Sequence, residues 1–385
     1  MSTPAGASRS PYGWRMGSLG GTPVFLGRSW PIIAIIIVAV FGPRLGAVGR
    51  SPAYGYVVAL GYALLLLVSV LVHETAHALA ARWSGHPVDR IVADVWGGHT
   101  VYDATRSRPG ATALIAVVGP VANLVLAGVG YVALPFVTGD TAQLLLSVVT
   151  WANLLVGLFN LLPGLPLDGG QIVSALVWKA TGSKGTGLVA AGWLGRLLAA
   201  GAVVYIVGVP LLQGRQPDLT TLLWTVLIGV FLWKGASDAI RSGHIHEATA
   251  GPVDPVLDPA LLVPSSNTVE EAVRTASAGG RPVVIVGTDA TGWPVGVVPG
   301  SAISEIPEAR RSATTVSAAL QTERPDWVVA LPSDAVLTDL VRVMGERSLP
   351  VAVVIDEATR GVRGVARAER INEVVGAELA RRGRR

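Results

Sequence analysis

Long apolar runs separated by short polar stretches dominate the first 236 residues of the chain. A membrane-spanning helix needs about 20 consecutive apolar residues, and several of these runs reach that length. We therefore predict a multi-pass α-helical membrane domain over residues 29–236, preceded by a polar arm over residues 1–28 that is rich in Ser, Gly, Pro and Arg. Its six predicted transmembrane segments are residues 29–48, 54–83, 111–137, 142–162, 188–212 and 219–233.

From residue 251 onward the apolar runs shorten to the length of strands. Residues 283–286 and 351–355 have the continuous apolar pattern of buried strands, whereas residues 269–276 and 336–344 have helical periodicity. This alternation predicts a soluble α/β domain after the membrane part.

The predicted soluble domain contains an internal repeat. Gly296-Val297-Val298 is echoed by Gly364-Val365-Ala366, 68 residues later. One such unit is too small to bury much apolar surface alone, so two copies are expected to pair. We predict a linker over residues 237–254 and two modules over residues 255–315 and 316–385.

Composition agrees with a membrane protein and limits the chemistry. The chain is 51% hydrophobic and 15% charged, with a mean hydropathy of +0.53, which is too apolar for an ordinary soluble protein of 385 residues. The net charge of +4 comes from scattered basic residues, which argues against a nucleic-acid partner. No cysteine is present, so a metal would be held by His, Asp or Glu.

Basic residues near the segment ends predict the orientation in the membrane. With the N-terminus inside, eleven basic residues flank the inner ends and three flank the outer ends, which favours both termini in the cytoplasm. The membrane that we expect is the inner membrane of a bacterium. The inner residues are Arg9, Arg15, Arg28, Arg82, Arg90, Arg106, Arg108, Lys179, Lys184, Lys234 and Arg241, and the outer ones are Arg44, Arg50 and Arg215.

The second segment contains the motif His73-Glu74-Thr75-Ala76-His77. Its two histidines and its glutamate are the only charged or imidazole side chains in the apolar part of this segment. On a helix, His73 and His77 stand one turn apart on one face. Two neutral imidazoles at this spacing can hold one zinc ion while Glu74 acts as general base toward a metal-bound water. The alternative is a pair of core histidines satisfied by backbone carbonyls, but ionisable groups in a membrane segment are costly and need a reason.

A catalytic zinc usually takes three protein ligands, so one more is expected from another segment. Asp168 is the candidate, because it follows the fourth segment in a loop rich in proline and glycine. Irregular backbone at membrane depth is tolerated only when it is buried in protein or lines a wet cavity, which places this loop inside the bundle. Asp168 could instead cap the helix predicted over residues 171–179.

Two distant motifs together resemble the site-2 protease family of intramembrane zinc metalloproteases. They are the histidine motif above and the stretch from Asn160 through Pro163 and Pro166 to Asp168 and Gly169, and residues 119–124 resemble a further family pattern. The resemblance implies one Zn²⁺ per chain, bound by His73, His77 and Asp168 and served by Glu74. It also implies that Asn160 orients the substrate or stabilises the oxyanion.

The resemblance implies cleavage of a transmembrane segment of another membrane protein, in contact with membrane lipid. The resemblance makes anti-sigma factors, pro-sigma factors and signal-peptide remnants candidate substrates, and nothing in the sequence chooses among them. A helical peptide bond must unwind before water can attack it, and a strand-like hairpin over residues 85–102 is our candidate platform for the unwound segment. His99 in this hairpin is a candidate additional ligand or, alternatively, a solvated histidine, as are His86, His244 and His246.

The C-terminal repeat resembles a tandem pair of CBS (cystathionine-β-synthase-type) modules, so the predicted fold is a membrane domain followed by a soluble α/β tandem CBS domain. Such pairs often bind adenine nucleotides and can form a homodimer. The usual ribose contact needs a hydroxyl and an acid that neither copy keeps, in residues 296–302 or 364–370. This argues for a structural or protein-contact role. The rival function is a CBS-regulated transporter or receptor, which an inverted repeat among the segments would favour, and we see none.

Overall fold

The computed structural model describes residues 12–48, 51–94, 97–104, 107–278, 280 and 282–382. The chain divides into two compact units, one ending at Gly243 and the other beginning at His244. Each unit is described by itself below.

The first unit is a bundle of long apolar helices. Within the described ranges, six helical stretches are long and apolar enough to cross a membrane, which confirms the predicted multi-pass domain. The helices of this unit are α1 (Trp30–Val48), α2 (Pro52–Trp83), α3 (Pro109–Ala133), α4 (Asp140–Asn160), α5 (Asp168–Thr181), α6 (Lys184–Val203), α7 (Val209–Leu212) and α8 (Leu219–Ala248). A 3₁₀ turn (Leu134–Phe136) extends α3, and a π-helical stretch (Val204–Gly208) joins α6 to α7. Helix α8 continues into the predicted linker as far as Ala248.

Small residues allow the helices to approach one another closely, as is common in membrane bundles. Helices α1 and α2 show this well. A Cβ atom built on Gly55 would lie 2.2 Å from the carbonyl oxygen of Gly42 and 2.3 Å from the nitrogen of Gly46. The two backbones are therefore in contact at these glycines, while many large apolar side chains face outward, as lipid requires.

A four-stranded sheet, in the order β1-β2-β3-β4, belongs to the same unit. Its strands are β1 (Trp14–Leu19), β2 (Thr22–Leu26), β3 (Val88–Asp94) and β4 (Gly97–Tyr102). Strands β3 and β4 form the predicted antiparallel hairpin. Strands β1 and β2 differ from the polar arm expected over residues 1–28, whose first eleven residues lie outside the described part of the chain. Parallel pairing of β2 with β3, such as Val24 with Ile91, holds this segment in the sheet, and local sequence does not reveal such a distant partner.

The loop between α4 and α5 is buried inside the bundle, as expected for irregular backbone in a membrane. Leu165 is 3% exposed, and its backbone N–H donates to the carbonyl of Ala191 in α6 at 3.1 Å. A Cβ on Gly195 would lie 2.0 Å from the carbonyl oxygen of Leu165. Only a glycine at this position of α6 allows the loop to pass so close, and the loop leads directly into Asp168.

The second unit is the predicted repeat of α/β modules. Its strands are β5 (Leu257–Asp258), β6 (Ala260–Pro264), β7 (Val284–Thr288), β8 (Pro294–Val298), β9 (Gln321–Thr322), β10 (Val328–Leu331), β11 (Val351–Asp356) and β12 (Val362–Arg367). Its helices are α9 (Val269–Ala278), α10 (Gly300–Glu305), α11 (Glu308–Arg311), α12 (Val316–Ala319), α13 (Leu337–Glu346) and α14 (Ala368–Arg382). Short 3₁₀ turns span Asp254–Val256 and Pro325–Trp327. The repeat is visible in the starting residues, since α13 starts 68 residues after α9 and β12 starts 68 residues after β8.

Each module borrows one edge strand from the other half of the sequence. One sheet has the order β6-β7-β8-β9 and the other has the order β10-β11-β12-β5. Strand β5 lies at the start of the first module but pairs with β12, and β9 lies in the second module but pairs with β8. The two modules therefore share strands, which explains in physical terms why they pair.

Candidate metal centre

Helix α2 holds His73, Glu74 and His77 inside the bundle, where they are 8%, 5% and 8% exposed. Because the two histidines are four residues apart, their rings lie on one face of the helix. Their centroids are 4.6 Å apart and their Nε2 atoms 3.0 Å apart. The structure thus brings together the two imidazoles that the sequence motif singled out.

Asp168 is the first residue of α5, and its carboxylate faces the two histidines. Its Oδ2 lies 3.1 Å from Nε2 of His73 and 3.5 Å from Nε2 of His77. The N-cap position belongs to Leu167, and no side chain caps this helix. The capping role considered for Asp168 is therefore not what the structure shows. The positive end of the α5 dipole favours a carboxylate here.

Helix α3 determines which imidazole nitrogens carry protons. Nδ1 of His73 lies 3.0 Å from Oδ1 of Asn123, and Nδ1 of His77 lies 2.6 Å from the carbonyl oxygen of Ile115. Both partners are acceptors, so both Nδ1 atoms donate a proton in the neutral imidazole. Each Nε2 atom then carries a lone pair, and that is the tautomer a metal ligand requires.

The donor set fits a zinc ion. Two imidazole lone pairs and one carboxylate oxygen converge, all within 4.8 Å of one another, and a shared cation would relieve their mutual repulsion. Zinc binds imidazole nitrogen and carboxylate oxygen tetrahedrally at roughly 2.0–2.2 Å, which separates two ligand atoms by about 3.3 Å. The observed separations of 3.0 to 3.5 Å match this value. Three protein ligands would leave the fourth position for water.

Gly119 of α3 lies directly against the converging nitrogens. A Cβ atom at this position would be 2.3 Å from Nε2 of His77 and 2.7 Å from Nε2 of His73. Any larger residue would therefore displace the imidazoles. Gly119 and Asn123 are one turn apart on α3, which explains why both occur in the stretch over residues 119–124.

Strand β4 packs against α2 at Glu74. A Cβ on Gly98 would lie 2.7 Å from Cγ of Glu74, and the Thr100 hydroxyl lies 2.8 Å from Oε2 of Glu74. Strand β4 is at the edge of its sheet, and it pairs only with β3 in the part of the chain that the structure describes. Its outer edge is therefore available to another strand.

The remaining candidates lie outside the cluster. Asn160 is the half-buried last residue of α4, and its amide forms no hydrogen bond with any described residue. His99 is exposed and lies 3.5 Å from Asp94. His86 differs from the solvated histidine considered for it, since it is 7% exposed with its ring 5.9 Å from that of Tyr102. Burial raises the pKa of the Tyr102 hydroxyl.

His244 and His246 lie near the end of α8 and are not members of the metal-binding group. Sequence reasoning missed the contacts of Asn123, Ile115 and Thr100, because each depends on how separate elements pack. Of these three residues, only Asn123 could have been recognised from the sequence as a possible site residue, because it is a polar residue one turn after a glycine in an apolar helix.

Six helices long enough to cross a membrane, with two buried histidines and a half-buried aspartate that converge, define a polytopic membrane protein with a candidate metal-binding site. Residues 61–142 and 135–200 match the model of Peptidase family M50. The putative zinc metalloprotease Rip3 of Mycobacterium tuberculosis is 31% identical over 278 residues, 70% of this chain and 70% of that protein. A putative zinc metalloprotease of Synechocystis is 26% identical over 355 residues, 89% of this chain and 90% of that protein.

The chain belongs to Peptidase family M50, and it is a zinc metalloprotease that works within the membrane. Among solved structures, it is similar to the site-2 protease from Methanocaldococcus jannaschii, at 24% identity and a TM-score of 0.43, over 60% of this chain and 95% of that one. It is also similar to CBS domains, including one from a bacterial CNNM/CorC family Mg²⁺ transporter, at 17% identity and a TM-score of 0.27, over 34% of this chain and 92% of that one.

Asn123→Leu should weaken zinc binding about 10- to 100-fold, because His73 loses the acceptor that fixes its tautomer and ring orientation. Competition with a chelator on the purified protein measures this affinity. Asn153→Leu is the matched control, since Asn153 is also buried in the bundle but donates to Ser69 and not to a histidine. Equal zinc affinities for Asn123→Leu and the unaltered protein would show that α3 does not orient His73.

Proposed function

We propose that His73, His77 and Asp168 bind one zinc ion and that Glu74 is the general base in hydrolysis of a peptide bond within a transmembrane segment of another protein. The observation that carries this proposal is the convergence of three lone-pair donors inside an apolar bundle, beside a fourth ionisable group. Ionisable groups are expensive at this depth, and a shared cation compensates three of them at once.

The zinc ion would supply Lewis acidity, which lowers the pKa of bound water and polarises the scissile carbonyl. Glu74 accepts the proton of the attacking water and delivers it to the leaving amide nitrogen. The carboxylate of Asp168 and the two oriented imidazoles hold their lone pairs toward one point without further rearrangement. The free amide of Asn160, at the end of α4, is available to donate to the substrate carbonyl.

The length of α2 supports a site to which water has access. This helix has 32 residues and is therefore about 48 Å long, which exceeds the roughly 30 Å of a hydrocarbon layer. His73 lies about 32 Å from the start of the helix at Pro52. A hydrocarbon layer that begins near Pro52 would place the motif close to the opposite membrane surface, where water for hydrolysis is available.

Glu74→Gln should retain zinc but lose about 10²- to 10⁴-fold in cleavage, because the amide cannot accept the water proton. The measurement is cleavage of a model transmembrane substrate by purified protein, together with metal content. Glu308→Gln, which changes an exposed glutamate, is the control. Chelation should abolish activity and added zinc should restore it, whereas undiminished cleavage by Glu74→Gln would overturn the assigned mechanism.

Asp168→Ala should abolish stoichiometric zinc binding, because two imidazoles alone hold the ion weakly. Metal analysis of the purified protein measures this, with Asp140→Ala, an exposed residue at the start of α4, as control. The same measurement tests the rival function, a CBS-regulated transporter or receptor. Absence of bound zinc from the unaltered protein would favour that rival.

We further propose that an unwound substrate pairs with the outer edge of β4. The support is position, since β4 is the edge strand and Gly98 and Thr100 bring it against Glu74. Backbone hydrogen bonds from an edge strand suit a substrate whose own helical bonds have opened.

A proline scan of the substrate should reveal this pairing. Proline lacks an N–H, and successive N–H groups of a strand point to opposite sides. Proline at four successive positions beside the cut should therefore slow cleavage at alternate positions, relative to alanine. Helix unwinding alone would make every proline speed cleavage, and that uniform result would exclude pairing with β4.

The cytoplasmic location of both termini and a homodimer through the CBS pair stay predictions from the sequence and the family, as does a structural or protein-contact role of that pair in place of adenine-nucleotide binding.

A further inference from the structure

The hydroxyl of Thr100 joins strand β4 to the catalytic face of α2. We propose that Thr100 is a positioning residue that orients the carboxylate of Glu74. This inference rests on the proposed function, because it assigns a partner to the general base proposed above.

The two hydrogen-bond acceptors of Thr100 belong to the same glutamate. Its Oγ1 lies 2.8 Å from Oε2 of Glu74 and 2.9 Å from the backbone carbonyl oxygen of Glu74. One hydroxyl has a single proton to donate. The carbonyl lies inside α2, where it accepts the bond of its own helix, whereas the carboxylate is charged and accepts more strongly. The proton therefore goes to the carboxylate.

Strand geometry explains why β4 reaches Glu74 at two points. Side chains alternate along a strand, so residues 98 and 100 face α2 while His99 faces away and is exposed. At Gly98, a Cβ would lie 2.7 Å from Cγ and 3.0 Å from Oε1 of Glu74. Gly98 thus leaves just enough room for the glutamate, and Thr100 holds one of its two oxygens.

The second oxygen is left for the chemistry. Within the described ranges, Oε1 of Glu74 has no hydrogen-bond donor from the protein, whereas Oε2 is engaged by Thr100. One oxygen is then fixed and the other remains free to take a proton. Because β4 is also the proposed platform, a substrate that pairs with this strand and the base that acts on it are positioned by the same element.

Thr100→Val should lower kcat about 10- to 100-fold while KM changes less than about twofold and zinc content stays stoichiometric, because the valine removes a bond to a charged group and keeps the shape. Thr100→Ser should restore most of kcat. Thr225→Val is the matched control, since this buried hydroxyl donates only to the carbonyl of Thr221 in its own helix. Full activity of Thr100→Val would overturn the inference.

A double-mutant cycle separates positioning from simple anchoring of the strand. The thermal midpoint is measured for Thr100→Val in the unaltered protein and in Glu74→Ala, which lacks the carboxylate but keeps the backbone carbonyl. Positioning predicts a smaller decrease in the Glu74→Ala background. Equal decreases would mean that the hydroxyl acts only through the backbone, and the inference would fail.

The two proposals fail in different ways. Retention of activity by Glu74→Gln removes the proposed function and with it any role for Thr100. Loss of activity by Glu74→Gln with full activity of Thr100→Val removes only the positioning role.

Discussion

Three lone pairs converge on one point inside a bundle of apolar helices. Placing these polar groups so close together costs free energy, and the neighbouring elements of the first unit supply the contacts that offset it. The imidazoles of His73 and His77 and the carboxylate of Asp168 lie 3.0 to 3.5 Å from one another, a spacing that suits a shared cation. Each also needs a partner on its far side. Asn123 and the carbonyl of Ile115 supply these for the imidazoles, and the dipole of α5 does so for the aspartate.

Glycine residues allow the backbones of neighbouring elements to come close to the residues of the site. Gly119 lies against both Nε2 atoms, Gly98 against the side chain of Glu74, and Gly195 against the loop before Asp168. At each position a single Cβ would move a group of the site. The many glycines of this chain are thus part of the site's geometry as well as of membrane packing, where small residues let helices approach.

The second unit is stabilised by apolar burial and by strand pairing between its two modules. Its two modules bury apolar faces, and each sheet is completed by a strand from the other half of the sequence. Hydrogen bonds at the turns reinforce this repeat. Asp289 and Asp356 each accept from a nearby threonine in matching hairpins, which holds the pKa of both carboxyls below the usual range. The two modules therefore repeat the same side-chain hydrogen bond as well as the same spacing of elements.

The sequence by itself determined the six membrane segments, the repeated α/β modules and the identity of the four ionisable residues of the site. Hydrophobic length and periodicity are local, and a histidine pair at helical spacing is a local signal too. Tertiary structure decided the rest. The pairing of β2 with β3, the exchange of β5 and β9, and the contacts of Asn123 and Thr100 join residues distant in sequence, and no local pattern encodes which backbone will lie beside them. Burial of His86 was misjudged for the same reason.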